Sequence, residues 1–179
     1  MITTFVIILL NTIITGDTRF SENIYSEIEK VKKRLAEIKY ISKIDYKEPI
    51  VYICKNNKEF WNKTWISPSR GGVYVNDTIY LIPVEKLITT KSMYIVRHEY
   101  IHHIFSKFNF KLWVDEGLAV VYGGPVIKLY PYFKKKEIAT KISSVSKDTL
   151  NMVYSSAAYY VKKEIKKYGF ENFIKIYRR

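Results

Sequence analysis

An α+β fold in a single domain is what the sequence predicts, and three observations carry the prediction. Short apolar runs bounded by turn residues come early, at residues 49–55 and 73–82. Helical periodicity dominates afterwards, so strands and helices are segregated along the chain. No internal repeat and no low-complexity linker interrupts the 179 residues, a length that suits one core.

The first element is open to two readings. Residues 5–10 are continuously apolar, but a bilayer span needs about 20 such residues. The run has the length of a signal-peptide core, yet no Lys or Arg precedes it and no clean small-residue cleavage site follows. Residues 1–16 are thus either a signal or anchor segment, giving export or membrane association, or a first strand ending near Gly16-Asp17. The domain proper is residues 17–179.

Ser21 is placed to cap a helix through Ile24, Ile28, Val31, Leu35 and Ile38, which share one face. Residues 49–55 read as a short buried strand that exits at Asn56-Asn57, while the stretch holding Trp61 and Trp65 has no readable pattern. Gly71-Gly72 opens the next strand, where Asn76-Asp77 predicts a hairpin turn or a bulge, and Pro83 stops it. Residues 90–105 place Met93, Val96, Tyr100 and Ile104 on a helical period. A further segment, residues 113–122, is broken by Gly123-Gly124-Pro125. Val153, Ala157, Val161, Ile165 and Tyr168 make an amphipathic helix ended by Gly169. A last short helix from Glu171 carries Phe173, Ile174 and Tyr177.

The net charge of +13 admits a polyanionic partner, but the lysines are spread along the chain among Ile, Tyr and Asn. Even Lys134-Lys135-Lys136 reads as a solvated surface, so no specific nucleic acid is expected. A single cysteine, Cys54, rules out an internal disulfide and reads as a buried strand residue.

Chemistry concentrates in Arg97-His98-Glu99-Tyr100-Ile101-His102-His103. His98 and His102, four apart, project from one face of a helix, one turn above the other. Two imidazole nitrogens so placed can share one tetrahedral zinc ion at about 2.0–2.1 Å. Glu99 follows the first ligand and can take a proton from water held by that ion. All three histidines of the chain fall within six consecutive positions. A catalytic zinc site usually takes three protein ligands, and Glu116, in Leu112-Trp113-Val114-Asp115-Glu116-Gly117-Leu118-Ala119, is the third candidate. The residues between are enough for a turn that brings an antiparallel segment back.

His-Glu-x-x-His at residues 98–102 followed by Trp-x-x-Glu-Gly-x-Ala at 113–119 resembles the gluzincin zinc metallopeptidases. The interval is shorter than in the aminopeptidase branch and is similar to that of the small peptidase MA-like family. Weaker likeness extends over roughly residues 45–177. The resemblance implies a zincin-like fold: a small N-terminal sheet with a helix, an active-site helix and a helical C-terminal part. It also implies one zinc ion, a peptide or protein substrate, and Glu99 as general base.

Other residues stay open at this level. Asp115 can accept the free N–H of a ligand histidine and fix its tautomer, or face solvent. His103 projects about 100° away around the helix, so it lies beside the ligands or at the surface. Tyr154 can donate to an oxyanion or simply pack, and the strand around Gly72 can pair with an extended peptide. Residues 130–133 line a pocket or cover the core. Two rival functions remain: a zinc-holding scaffold without turnover, and a basic nucleic-acid-associated protein.

Overall fold

Alternation along the strands decides which face of the sheet meets the core. The computed structural model describes residues 7–9, 12–38, 40–41, 46–124, 127–144 and 147–179. Its sheet has five strands in the order β1-β2-β3-β5-β4. Here β2 (Thr12–Gly16), β3 (Ile50–Ile53) and β5 (Thr78–Leu81) are parallel. β1 (Ile7–Leu9) is antiparallel to β2, and β4 (Gly72–Val75) is antiparallel to β5. Residues 7–9 and 12–16 are therefore strands, whereas Phe5, Val6 and Leu10 of the early apolar run lie outside the described residues. No described helix is long and apolar enough to cross a membrane.

Val51, Ile53, Ile79 and Leu81 point into the main core, and Tyr52 and Tyr80 alternate to the opposite face. α2 (Asn57–Thr64) covers that second face: Glu59 accepts from the Tyr52 hydroxyl at 2.6 Å, and Lys63 Nζ sits 4.3 Å from the Tyr52 ring centroid. The Asn56 side chain accepts from Glu59 N and starts the helix, which ends at Trp65 in a left-handed conformation. Cys54 is fully buried just past β3, and burial pushes its thiol up to about 12. Asn76 and Asp77, both with positive φ (47° and 58°), form the two-residue turn joining β4 to β5.

Two boundaries and one surface reading differ from the expectation. Ser21 does not cap α1 (Ser21–Ala36). Asp17 instead caps a 3-10 turn over Thr18–Phe20 that runs straight into the helix. Residues 90–93 are not helical: α3 (Val84–Thr89) follows Pro83, Lys91 turns left-handed at φ 53°, and α4 begins afterwards at Tyr94 and runs to Phe105. The Lys134–Lys136 run is not simply solvated. Lys135 pairs with Glu164 at 2.9 Å and lies 4.6 Å from the Trp113 ring centroid.

α4 is buried nearly all round, by Val96, Tyr100, Ile101, Ile104 and Phe105 among others, because α1, the sheet and the segment after it enclose it. A 3-10 turn over Ser106–Phe108 and Asn109 in a left-handed conformation reverse the chain. α5 (Leu112–Leu118) returns and continues as one π-helical turn, Ala119–Gly123. α6 (Lys135–Ser144), α7 (Lys147–Tyr168) and α8 (Phe170–Tyr177) complete a mixed α+β fold. The segment before α6 docks on α7, where Ser155 Oγ accepts from Tyr130 N and Ser156 Oγ accepts from Phe133 N. Residues 130–133 thus cover the structure, with Tyr130 and Tyr132 exposed.

Gly117 is the contact point of α5 and α7. A Cβ there would lie 2.4 Å from Val161 Cγ2 and 2.8 Å from the Ala157 carbonyl oxygen. A Gly117→Ala substitution is expected to lower stability by about 1–3 kcal/mol through overpacking. Thermal unfolding measures it, and an unchanged transition would contradict this packing.

Candidate metal centre

Three side chains from α4 and α5 converge. His98 Nε2 lies 3.2 Å from Glu116 Oε2, His102 Nε2 lies 3.7 Å from the same oxygen, and the candidate ligand atoms all fall within 4.8 Å of one another. A tetrahedron with bonds of about 2.0–2.1 Å has ligand-to-ligand edges of about 3.3–3.4 Å. The two shorter separations bracket that edge. This His-His-Glu group can hold a divalent metal ion.

The ring orientations agree with that use. His102 Nδ1 donates to Asp115 Oδ2 at 2.8 Å, and His98 Nδ1 donates to the Gly124 carbonyl at 3.2 Å. Both bonds place the proton on Nδ1 and leave the Nε2 lone pair for the metal. Asp115 is thus brought to the ligand histidine rather than left in solvent.

The carbonyl of Gly124 is held by a chain of contacts from α1. Arg97 Nε donates to the neighbouring Gly123 carbonyl at 2.8 Å, and Arg97 Nη1 pairs with the buried Glu27 on α1. The π-helical turn passes so close to α4 that a Cβ on Gly123 would stand 2.7 Å from both His98 Cα and His98 N. Only a residue without a side chain fits there, and it brings the next carbonyl within reach of the imidazole. A π turn at this place is the kind of irregularity often found at functional sites.

Electrostatics follow from burial with mutual contact. Burial works to raise the Glu116 carboxyl, but contact with His102 and His98 overcomes it and holds the group far below the usual carboxylate range. Burial works to lower His102, and Asp115 and Glu116 overcome that, pushing it well above the ordinary imidazole value. Glu99 is raised, chiefly by burial; the imidazoles of His102 and His98 oppose the rise and the Glu116 carboxylate adds to it.

Glu99 lies on the inner side of α4, where its Oε2 accepts from the backbone N–H of Tyr74 at 2.9 Å. The hairpin register explains the availability of that donor. Val73 and Val75 pair with Tyr80 and Thr78, so their amides face β5, and those of Gly72 and Tyr74 face away from the sheet. Tyr154 on α7 places its ring 5.7 Å from the His98 ring centroid, and its hydroxyl accepts from Arg70 Nη1 at 3.2 Å.

His103 is neither at the surface nor among the ligands. It is buried, its Nε2 donates to the Lys47 carbonyl at 2.6 Å, and the rings of Tyr46, Tyr74 and Tyr100 surround it. The structure therefore brings His98, His102, Glu116, Glu99, Asp115 and Tyr154 together and sets His103 aside. Glu27, Arg70, Arg97 and the Tyr74 amide were not legible beforehand. They stand 70, 84, 26 and 25 positions from the partners they meet, and no local spacing marks them. No family model matches the chain, and no curated protein or solved structure matches it either.

Since His102 holds its proton above the ordinary value in the metal-free protein, metal must displace it. Titration with zinc in buffers of different ionisation enthalpy is expected to show release of about one proton per ion at pH 7, and affinity falling roughly tenfold from pH 7 to pH 6. Affinity independent of pH would contradict the assignment of these ligands.

Proposed function

We propose that this chain is a zinc-dependent peptidase of the gluzincin type with a zincin-like fold. The observation that carries the reading is the convergence of His98, His102 and Glu116 with Glu99 on the same helix as the two histidines. A purely structural site has no need of a buried, ionisable carboxyl there. Zinc held by His98, His102 and Glu116 would supply Lewis acidity and a nucleophilic water near neutral pH.

The protein's own groups then divide the work. Glu99 accepts the proton of the attacking water and delivers it to the leaving amine. Its raised proton affinity suits both halves of that transfer, and the Tyr74 N–H fixes one of its oxygens while leaving the other for the reaction. Asp115 and the Gly124 carbonyl hold the two imidazoles in register. Tyr154 donates to the oxyanion of the tetrahedral intermediate. The outward-facing groups of β4, the edge strand, offer main-chain hydrogen bonds to an extended peptide. Since the Tyr74 N–H is already engaged by Glu99 and Gly72 is buried, the Tyr74 carbonyl is the outward-facing group left to bind it.

The test compares the wild type with Glu99→Gln on an unstructured protein substrate, with metal content measured in both. Loss of on the order of 10²–10⁴ in rate with zinc retained is expected for removal of a general base. Equal, negligible cleavage by both proteins with zinc bound would make the chain a metal-holding scaffold instead.

A further inference from the structure

Among the described residues Arg70 is the one guanidinium hydrogen-bonded to a side chain of the proposed active centre, and its surroundings differ from those of Arg97. Arg97 is neutralised by Glu27. Among the described residues Arg70 has no carboxylate partner, and its one hydrogen bond goes to the Tyr154 hydroxyl at 3.2 Å. Arg70 belongs to the 3-10 turn Pro68–Arg70, immediately before the edge strand β4, and Tyr154 belongs to α7. The contact therefore ties the two walls beside the metal centre across 84 positions of chain.

The chemistry of the two groups fixes the direction of this bond. A guanidinium has five N–H donors and no acceptor, and a phenol has a single proton. Arg70 must donate and Tyr154 Oη must accept, so the phenolic proton is directed away from Arg70. Among the described residues it has no acceptor of its own. The phenol's other neighbours are the His98 ring at 5.7 Å and the carboxylates of Glu116 and Glu99, near enough to act on it electrostatically. The free donor is thus held beside the ligand group.

We propose that Arg70 is a positioning residue: its guanidinium pins the Tyr154 oxygen so that the hydroxyl proton is presented to the metal centre. There it meets the oxyanion as it forms. Without Arg70 the hydroxyl is free to turn, and the donor must be oriented anew in each turnover. A positively charged donor on the same oxygen also polarises the O–H bond and strengthens it as a donor. Arg70 touches no reacting atom in this account. The inference rests on the peptidase reading given above, and it extends that reading to a residue that no motif marks.

A double-mutant cycle on the zinc-loaded full chain tests it, with Arg70→Met, Tyr154→Phe and the pair combined. Two quantities are read: kcat and KM on the peptide that the wild type cleaves best, and affinity for a phosphinic analogue of that peptide, whose tetrahedral anion stands for the oxyanion. Arg70→Met is expected to lower kcat and analogue affinity each by about tenfold, a fraction of the loss when an oxyanion donor is removed outright, with KM little changed. In the Tyr154→Phe background the same substitution should change neither quantity, and Arg70→Lys should recover part of the loss. If Met at this position abolishes the thermal unfolding transition, Arg70→Gln carries the same comparison.

Equal losses in both backgrounds would overturn the proposal, because Arg70 would then act on the ligand directly. So would a loss confined to KM, or no loss at all. Failure of the peptidase reading has a different signature: zinc-loaded wild type that neither cleaves peptide nor binds the phosphinic analogue. That result would remove both.

Discussion

Two imidazoles and a carboxylate buried within a few ångströms of one another form an arrangement that a cation resolves. Without it the group must share protons, as the opposed shifts of His102 and Glu116 show. Bringing such groups out of water is costly unless they are paired or coordinate metal. The rest of the site can be understood as the means of keeping three donor atoms at the edge lengths of one tetrahedron. α4 supplies two of them by periodicity alone. The third depends on α5 returning at the right height, and the close approach at Gly117 and Gly123 sets that height.

The scaffold around these atoms is rigid for identifiable reasons. His98 is held through the Gly124 carbonyl, the turn carrying that carbonyl is held by Arg97, and Arg97 is held by Glu27 on α1. His102 is held by Asp115 from the same short helix that presents Glu116. Glu99 is held by the sheet itself, through an amide that the hairpin register turns outward. Each support comes from a different element, so the centre lies where α1, the edge strand, α4 and α5 all reach the same place. Ligand groups oriented in advance lose less entropy when they bind.

How much of this was legible in the sequence depends on the distance over which each signal acts. The pairing of His98 with His102 is a statement about helical pitch and needs nothing else. Glu116 could be named because its flanking residues fix a return segment, and residues 49–55 and 73–82 could be named as strands from their apolar runs, while which face of them meets the core came only with the fold. Boundaries set by backbone conformation were harder. Lys91 turning left-handed delays to Tyr94 a helix that reads as starting at residue 90, and an Asp17-capped turn displaces the start of α1 from the Ser21 signal. His103 shows the limit most clearly. Its angular offset from His102 excludes it as a ligand, yet only the fold shows that three tyrosines and the Lys47 carbonyl enclose it. Contacts made across 70 or more positions, such as Arg97 with Glu27 or Arg70 with Tyr154, have no local pattern to read.

The most direct measurement of the central claim is X-ray absorption spectroscopy at the zinc edge on the protein loaded with one equivalent of zinc. About four nitrogen and oxygen scatterers at roughly 2.0–2.1 Å are expected, two of them with the outer-shell pattern of imidazole. Substitution of His102 by Ala should remove one imidazole contribution. A sulfur scatterer at about 2.3 Å, which only Cys54 or a methionine could supply, or a spectrum unaffected by loss of His102, would contradict it.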